Sequence, residues 1–305
     1  MIESLLREEI KKTERKEKII EFLIRVLSFS SIIFLSGVFY TLIYESIPVF
    51  KEISIKEMIF GKEWYPTCEP ASFGMFPLIW GSIFVTILSV IIAILISLPT
   101  AIYINEIAPK KIKRFLKPLI EILAAIPSVI YGLWGATFLA PLISKIFNLS
   151  FGFNVLTASI VLAIMVIPIM TTLFEDAFNF VPVSFKEASY AVGANKWETI
   201  IHIIIPAASS GIINAIILSI GRVIGETMVV LMVAGGSAII EFSIFEPVRP
   251  VTAAIASEMG EASYGSLHYH ALFAAGFFLL IITSVLNIIA QVFTKKFQIQ
   301  LGRSR

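Results

Sequence analysis

The sequence lacks the features of several common protein classes. It contains one cysteine, Cys68, which excludes an intrachain disulfide and a cysteine-based metal site. Charged residues make up only 15% of the 305 residues, whereas 57% are hydrophobic and the mean hydropathy is +0.89. A soluble domain of this length cannot bury so many apolar side chains. The composition therefore indicates a membrane protein, and nothing in it suggests binding to nucleic acid.

The residues of a nucleotide site or a metal site are also missing. No Gly-x-x-x-x-Gly-Lys-Ser/Thr phosphate-binding loop occurs in the sequence, so we do not expect this chain to hydrolyse ATP itself. His268 and His270 lie near each other without a third metal ligand. We therefore predict no cofactor, no metal and no catalytic residues for the isolated chain.

Six apolar, charge-poor runs predict an all-α protein with six transmembrane helices. Each run is close to the roughly 20 residues that a helix needs to cross the hydrocarbon layer. The fifth run is rich in glycine, which predicts a bent helix. The six runs lie at 24–44, 82–104, 122–144, 155–174, 207–235 and 270–294.

Lysine and arginine are distributed unevenly between the segments that join these runs. With a cytoplasmic N-terminus, the inside segments hold 17 of the 24 basic residues and the outside segments hold 5. Because cytoplasmic loops carry the basic excess, both termini are predicted to be cytoplasmic. The charged segment 1–23 is either an elbow helix along the membrane or a plain basic anchor. The outside segments are 45–76, 145–154 and 236–269.

The inside segment 184–206 has a regular pattern of helix signals. Ser184 and Glu187 have the spacing of a capping box, and Asn195 and Glu198 repeat it before a predicted helix at 196–205. Gly193 between them permits a sharp break. The pattern predicts two short helices that form a compact knuckle. Apolar residues on it, Trp197 and Ile200–Ile201, require a partner or the bilayer.

This segment resembles the coupling loop, or EAA motif, of ATP-binding-cassette importer permeases. Residues at the family spacing are Glu187, Ala188, Gly193, Ile203 and Pro206, while Ser189 replaces the second alanine of the motif. The resemblance implies a type I (MetI-like) importer permease with six helices, whose coupling loop docks onto a separate ATPase. Alternatively, Glu187 alone is explained as a helix cap, but that does not explain the ordered set.

Two further stretches resemble phosphate-importer permeases. They are Ala124-Ala125-Ile126-Pro127-Ser128-Val129-Ile130-Tyr131-Gly132-Leu133-Trp134-Gly135 and Gly221-Arg222-Val223-Ile224-Gly225-Glu226-Thr227. The PstC-like branch is favoured over its sister, the PstA-like branch, by the external pattern Trp64-Tyr65-Pro66, Phe73-Gly74 and Pro77 and by the run Tyr131-Gly132-Leu133-Trp134-Gly135. The resemblance implies a second, PstA-like permease, a dimer of PstB-like ATPase subunits and an extracytoplasmic, PstS-like phosphate-binding protein as partners in a cell membrane.

The chain is then divided into four parts. They are the cytoplasmic segment 1–23, the first span with its external loop (24–76), the permease domain (77–294) with the coupling loop 184–206, and the cytoplasmic tail 295–305.

Arg222 and Glu226 are charged residues inside an apolar run, and such residues mark ion pathways by default. Spaced i, i+4, they are predicted to lie on one face of a helix. Arginine offers an oxyanion a cationic fork, and Glu226 is expected to neutralise it when the path is empty. The alternative is a structural ion pair that holds the bundle together. Thr227, Ser128 and Tyr131 are weaker candidates for the substrate path, since a serine beside proline more often satisfies free backbone groups.

Other functions remain open from the residues alone. The permease could carry another oxyanion of the sulfate, molybdate or tungstate type. A proton-coupled secondary carrier is less favoured, because such carriers usually show an internal repeat or more helices. A scaffold without transport activity would not require charged residues in the middle of the membrane.

Overall fold

The computed structural model describes the backbone of residues 2–300 and the side chains of 17, 18, 20–289, 291 and 292. Most of this chain is helical, and the only sheet in the described residues is one short hairpin. The elements in chain order are α1 (Ile2–Glu52), α2 (Ile55–Phe60), β1 (Trp64–Tyr65), β2 (Ser72–Phe73), α3 (Phe76–Ile102), α4 (Lys110–Ala124), α5 (Ser128–Trp134), α6 (Ala140–Phe147), α7 (Val155–Asn179), α8 (Val183–Ala191), α9 (Lys196–Thr199), α10 (Ile205–Ala207), α11 (Ser209–Ile224), α12 (Met228–Val233), α13 (Val251–Glu258) and α14 (Leu267–Gln300).

Three single π-helical turns continue or join these helices. They are Tyr103–Ile107 after α3, Gly135–Leu139 between α5 and α6, and Ile200–Ile204 between α9 and α10. The antiparallel strands β1 and β2 pair Trp64 with Phe73 and Tyr65 with Ser72.

Five helices are long and apolar enough to cross a membrane, and the count reaches six when a bent pair is included. The five are Ile20–Glu52, Phe76–Ile107, Ser128–Phe147, Val155–Asn179 and Leu267–Ile289. The bent pair, Lys196–Ala207 and Ser209–Ile224, turns by 65°. The prediction of an all-α membrane protein with about six spans is confirmed in this form.

Several predicted span boundaries differ from the helices. The segment 1–23 is not separated from the first span, because α1 is continuous from Ile2 to Glu52. The third span begins at Ser128 and not at residue 122, since α4 ends before Pro127, which has no N–H group and restricts the residue before it. The predicted tail includes residues 301–305, which lie outside the described residues.

Helix α7 is the centre of the main hydrophobic core. Two-thirds of its most apolar window is buried within this chain, whereas none of the window in α1 is buried. Helices α3 and α11 pack on α7, and Gly211 of α11 lies so close that an added Cβ would meet the Cβ atom of Ala177 at 2.5 Å. Small residues of this kind let membrane helices approach closely. The exposed apolar surface of α1 is left for lipid or another subunit.

The segments that the sequence predicted to share one side of the membrane lie together. At one end of the bundle, Glu106 after α3 contacts Lys186 of α8, and Lys113 of α4 contacts Glu175 of α7. At the opposite end, the segments 45–76 and 145–154 each contact the segment 236–269, through Trp64 with Glu258 and through Phe147 with Phe245. We call the first the knuckle end and the second the loop end.

Candidate functional site

The knuckle, defined as residues 183–207, is built from α8, a tight turn, and the helical stretch from α9 to α10. Gly193 in the turn has a φ of +88°, a conformation that glycine adopts without strain, so its predicted role as a break is confirmed. The predicted capping box also forms, since Asn195 Oδ1 accepts from the Glu198 N–H at 3.0 Å and Glu198 Oε2 accepts from the Asn195 N–H at 2.7 Å.

The other predicted capping box is wrong. Helix α8 begins at Val183, so its N-cap position is Pro182 and not Ser184, and its first turn has no side-chain cap. Ser184 therefore lies inside the helix and cannot occupy the cap position. Glu187 is exposed and free of the cap role that would have explained its presence.

The predicted coupling residues fall into two groups. Ser189 is buried, and its Oγ lies 2.9 Å from Oγ1 of the fully buried Thr199, which ties α8 to α9. Glu187 and Ala188 are exposed on the outer surface of α8. Ile203 is half-buried, and Pro206 lies just before the 65° bend of the following helix.

An open apolar groove of about 750 Å³ runs along the knuckle. Phe185 and Ala188 of α8 line it, together with Val192 just after that helix and with Ile203 and Ala207. Exposed apolar surface at the end of a membrane bundle is suited to a protein partner. Trp197, which is 59% exposed, adds to this surface.

The second candidate region lies at the break that follows α11. The helix ends at Ile224, Gly225 follows in a turn conformation, and α12 begins only at Met228. The prediction that Arg222 and Glu226 lie on one helix face is therefore wrong. Glycine is a poor helix former, and a helix that stops at residue 224 cannot bring its residue 222 into an i, i+4 pair with residue 226.

Glu226 instead holds the break together. Its Oε1 accepts from the backbone N–H of Met228 at 3.2 Å and of Val229 at 3.4 Å, which satisfies free amides at the start of α12. Thr252 Oγ1 of α13 donates to the Glu226 carbonyl oxygen at 2.7 Å. Thr227 is half-buried, with its Oγ1 3.5 Å from the Gly225 carbonyl oxygen.

Arg222 has a different environment. Its side chain is exposed on this chain, and no acidic group among the described side chains lies within 4.0 Å of it. The predicted ion pair with Glu226 is absent from the described residues. Among the described side chains, the Arg222 guanidinium thus has no acidic partner, and it lies one turn before the break.

The first of the two stretches that resembled phosphate-importer permeases packs on α12, the helix that follows the second stretch. An added Cβ at Gly132 of α5 would lie 2.7 Å from Met232 Sδ, and one at Gly135 would lie 2.7 Å from Val161 Cγ2. The glycines therefore allow α5 to pack directly against α12 and α7. Tyr131 is buried and donates to the Leu123 carbonyl oxygen at 2.9 Å, while Ser128 is half-buried at the start of α5. Tyr131 thus braces the bend between α4 and α5.

A cluster at the loop end was not predicted. The buried Glu258 carboxylate accepts from Trp64 Nε1 at 2.9 Å and from Arg249 Nη1 at 2.6 Å, and it lies 2.9 Å from His268 Nε2. His270 Nδ1 lies 2.8 Å from the Glu45 carbonyl oxygen. The sequence contains no periodic signal for this cluster, because Trp64 comes from one outside segment and the other three residues lie far apart in another.

The amino-acid sequence is similar to those of transport permeases from several organisms. The family described as "Binding-protein-dependent transport system inner membrane component" matches residues 97–299. The probable ABC transporter permease protein YqgH of Bacillus subtilis is 37% identical over 76% of this chain and 75% of its own length. The phosphate transport system permease protein PstC of Pasteurella multocida is 34% identical over 80% and 81%. The probable PstC of Methanocaldococcus jannaschii is 33% identical over 95% and 97%.

Solved structures agree on the fold. The inward-facing MetNI methionine ABC transporter matches with a TM-score of 0.58 at 20% identity, over 76% of this chain and 99% of that chain. A bacterial alginate ABC transporter matches with a TM-score of 0.64 at 16% identity, over 92% and 96%. These likenesses confirm the MetI-like architecture. The chain belongs to the family of binding-protein-dependent transport system inner membrane components and is a multi-pass membrane protein.

Proposed function

We propose that this chain is the transmembrane permease half of an ATP-driven inorganic phosphate importer. The observation that carries the substrate assignment is its similarity, over about four-fifths of its length, to permeases named for phosphate transport. The chain forms the translocation path with a second, PstA-like permease. A PstS-like phosphate-binding protein delivers the anion from outside.

The knuckle docks onto a dimer of separate, PstB-like ATPase subunits. Its apolar groove and the exposed Glu187 beside it support this role, because a soluble domain can bury the groove while contacting the carboxylate. The knuckle end is then cytoplasmic and both termini lie on that side, as the excess of basic residues also indicates. The loop end faces outward toward the binding protein.

The break after α11 contributes to the substrate path. Arg222, which has no acidic partner among the described side chains, supplies a cation with a planar set of donors that matches two oxygens of a phosphate group. Thr227 and Ser128 are half-buried near the α5–α12 contact and supply hydroxyl groups. Glu226 and Tyr131 keep this region in place through backbone hydrogen bonds, and we assign them to the wall of the path.

The proposal is tested by measuring whether the subunits assemble and which anion stimulates ATP hydrolysis. The four kinds of subunit are co-expressed, and the purified complex is assayed for ATP hydrolysis stimulated by the binding protein loaded with phosphate, sulfate, molybdate or tungstate. Stimulation by phosphate alone supports the proposal. Stimulation by another oxyanion in preference to phosphate assigns the permease to that anion, and failure of the ATPase to co-purify contradicts the role of the knuckle.

A further inference from the structure

Helix α8 has two faces with different contacts. Glu187 points away from the bundle and is exposed, whereas Lys186 and Ser189, three residues apart on one face, point inward. Ser189 joins α8 to α9 within the knuckle. Lys186 makes a different connection, because it reaches out of the knuckle.

Lys186 Nζ lies 2.6 Å from Glu106 Oε1, in the π-helical turn that ends the long span of α3. The two side chains are only 23% and 8% exposed. Asn105 Nδ2 donates to the same carboxylate oxygen at 2.8 Å. This charge-assisted, largely buried contact joins residues that are 80 positions apart in the sequence.

Further polar contacts link the Lys186–Glu106 pair to two more helices. Lys113 Nζ of α4 lies 3.4 Å from Asn105 Oδ1 and 3.1 Å from Glu175 Oε1 at the end of α7. Lys117 Nζ lies 3.5 Å from the same Glu175 oxygen, and the Glu175 side chain is only 4% exposed. Helices α3, α4 and α7 are thus linked to one another at the knuckle end, and α8 joins them through Glu106.

The two acidic groups differ in how many basic partners they have. Glu175 has two lysines, so losing one leaves the other in place. Among the described side chains, Glu106 has one basic partner, Lys186. A change at Lys186 or Glu106 therefore interrupts the polar connection between the knuckle and the spans, while α3, α4 and α7 keep their own contacts.

We propose that the Lys186–Glu106 pair is the positioning joint through which a movement of the knuckle is passed to α3 and the transport path. The proposal rests on the proposed function, because it presupposes an ATPase that moves the knuckle. Neither residue contacts the ATPase-facing groove or the region around Arg222. The pair holds α8 in a fixed position relative to α3. Without it, we expect ATP to be hydrolysed without a matching uptake of phosphate.

The experiment uses the complete transporter in proteoliposomes. The variants are Lys186→Glu, Glu106→Lys and the exchanged double variant, and Lys110→Glu is the matched control at an exposed position on the same end of the bundle. Lys186→Gln and Glu106→Gln serve where a charge reversal lowers membrane abundance. The readouts are co-purification of the ATPase, the rate of ATP hydrolysis, and phosphate taken up per ATP hydrolysed.

Each single variant should retain the ATPase but take up at least about fivefold less phosphate per ATP, the lower end of typical coupling effects. The exchanged pair should recover most of the ratio, and Lys110→Glu should leave it unchanged. A purely structural pair would lower abundance without changing the ratio, and that result overturns the proposal. An exchanged variant no better than the single variants also overturns it. A wild-type complex without stimulated ATP hydrolysis overturns the proposed function together with the joint.

Discussion

Replacing Arg222 tests whether this residue handles the transported anion or stabilises the helix bundle. Because Arg222 is exposed on this chain and has no acidic partner among the described side chains, Arg222→Gln breaks no buried ion pair. Surface changes of this kind alter the free energy of unfolding by about 0.5 kcal/mol or less. We therefore expect normal membrane abundance and normal assembly for both Arg222→Gln and Arg222→Lys.

The expected effect on transport is much larger. A hydrogen bond to a charged group contributes about 1.5–3 kcal/mol, which corresponds to roughly 10- to 150-fold in rate if the contact forms in the translocation step. Arg222→Lys keeps the charge but loses the planar fork, so its uptake rate should fall by about 10-fold, the lower end of this range. Arg222→Gln removes both the positive charge and the planar fork, so its uptake rate should fall by about 150-fold, the upper end of the range.

The assay is uptake of radiolabelled phosphate at matched membrane abundance, with Lys110→Gln as the control for loss of an exposed positive charge. Uptake within about twofold of wild type for both Arg222 variants would refute an anion-handling role. Reduced abundance with unchanged uptake per molecule would instead assign Arg222 to assembly with the second permease.

Four further predictions concern other parts of the chain. Glu187→Arg should weaken co-purification of the ATPase without lowering membrane abundance, since the side chain is exposed, and unchanged binding would exclude its contact with the ATPase. Gly193→Val should weaken the same binding more than Gly193→Asn, because a φ of +88° strains a β-branched residue by about 1–2 kcal/mol, and equal effects in this assay would contradict the argument. Cys68 is exposed at the loop end, so a membrane-impermeant thiol reagent should label it in intact cells lacking the binding protein, and labelling only after permeabilisation would invert the topology. Gly132→Leu should lower the melting temperature of the purified complex, because an added Cβ already lies 3.5 Å from the Met228 carbonyl oxygen and from Met232 Cβ, which leaves no room for the rest of a leucine, whereas an unchanged melting temperature would show that α5 and α12 can move apart at no cost.

Local features of the sequence were predicted most successfully. The Asn195–Glu198 capping box and the break at Gly193 depend on neighbouring residues only, and both are present. The box at Ser184 failed even though its spacing was correct, because the helix begins at Val183 with Pro182 in the N-cap position, which leaves Ser184 inside the first turn. A spacing signal alone does not decide between two nearby start positions of a helix.

Predictions that assumed continuous helices were less reliable. The predicted pairing of Arg222 with Glu226 required α11 to continue past Gly225, but the helix ends at Ile224. The actual break is held by Thr252 Oγ1, which comes from a helix 26 residues further along the chain. No local pattern around Glu226 contains that contact, so the break could be suspected from glycine content but not located.

Contacts between distant segments were not predicted at all. Lys186 and Glu106 have no shared periodicity, although one signal was available: Glu106 is the first charged residue after the long uncharged stretch that contains α3. A charge at that position is expected near the end of a span, where a basic residue of another inside segment can reach it. The Glu258 cluster at the loop end likewise depends on how Trp64, Arg249 and His268 are brought together by the fold.

The most direct test of the central claim is uptake of radiolabelled phosphate into proteoliposomes that contain this chain, a PstA-like permease and a PstB-like ATPase dimer, with phosphate-loaded binding protein on the opposite side from ATP. An ATP-driven importer should accumulate phosphate when ATP is present on the knuckle side and should not do so with a proton gradient alone. Accumulation driven by the proton gradient in the absence of ATP, or no dependence on the binding protein, would contradict the account.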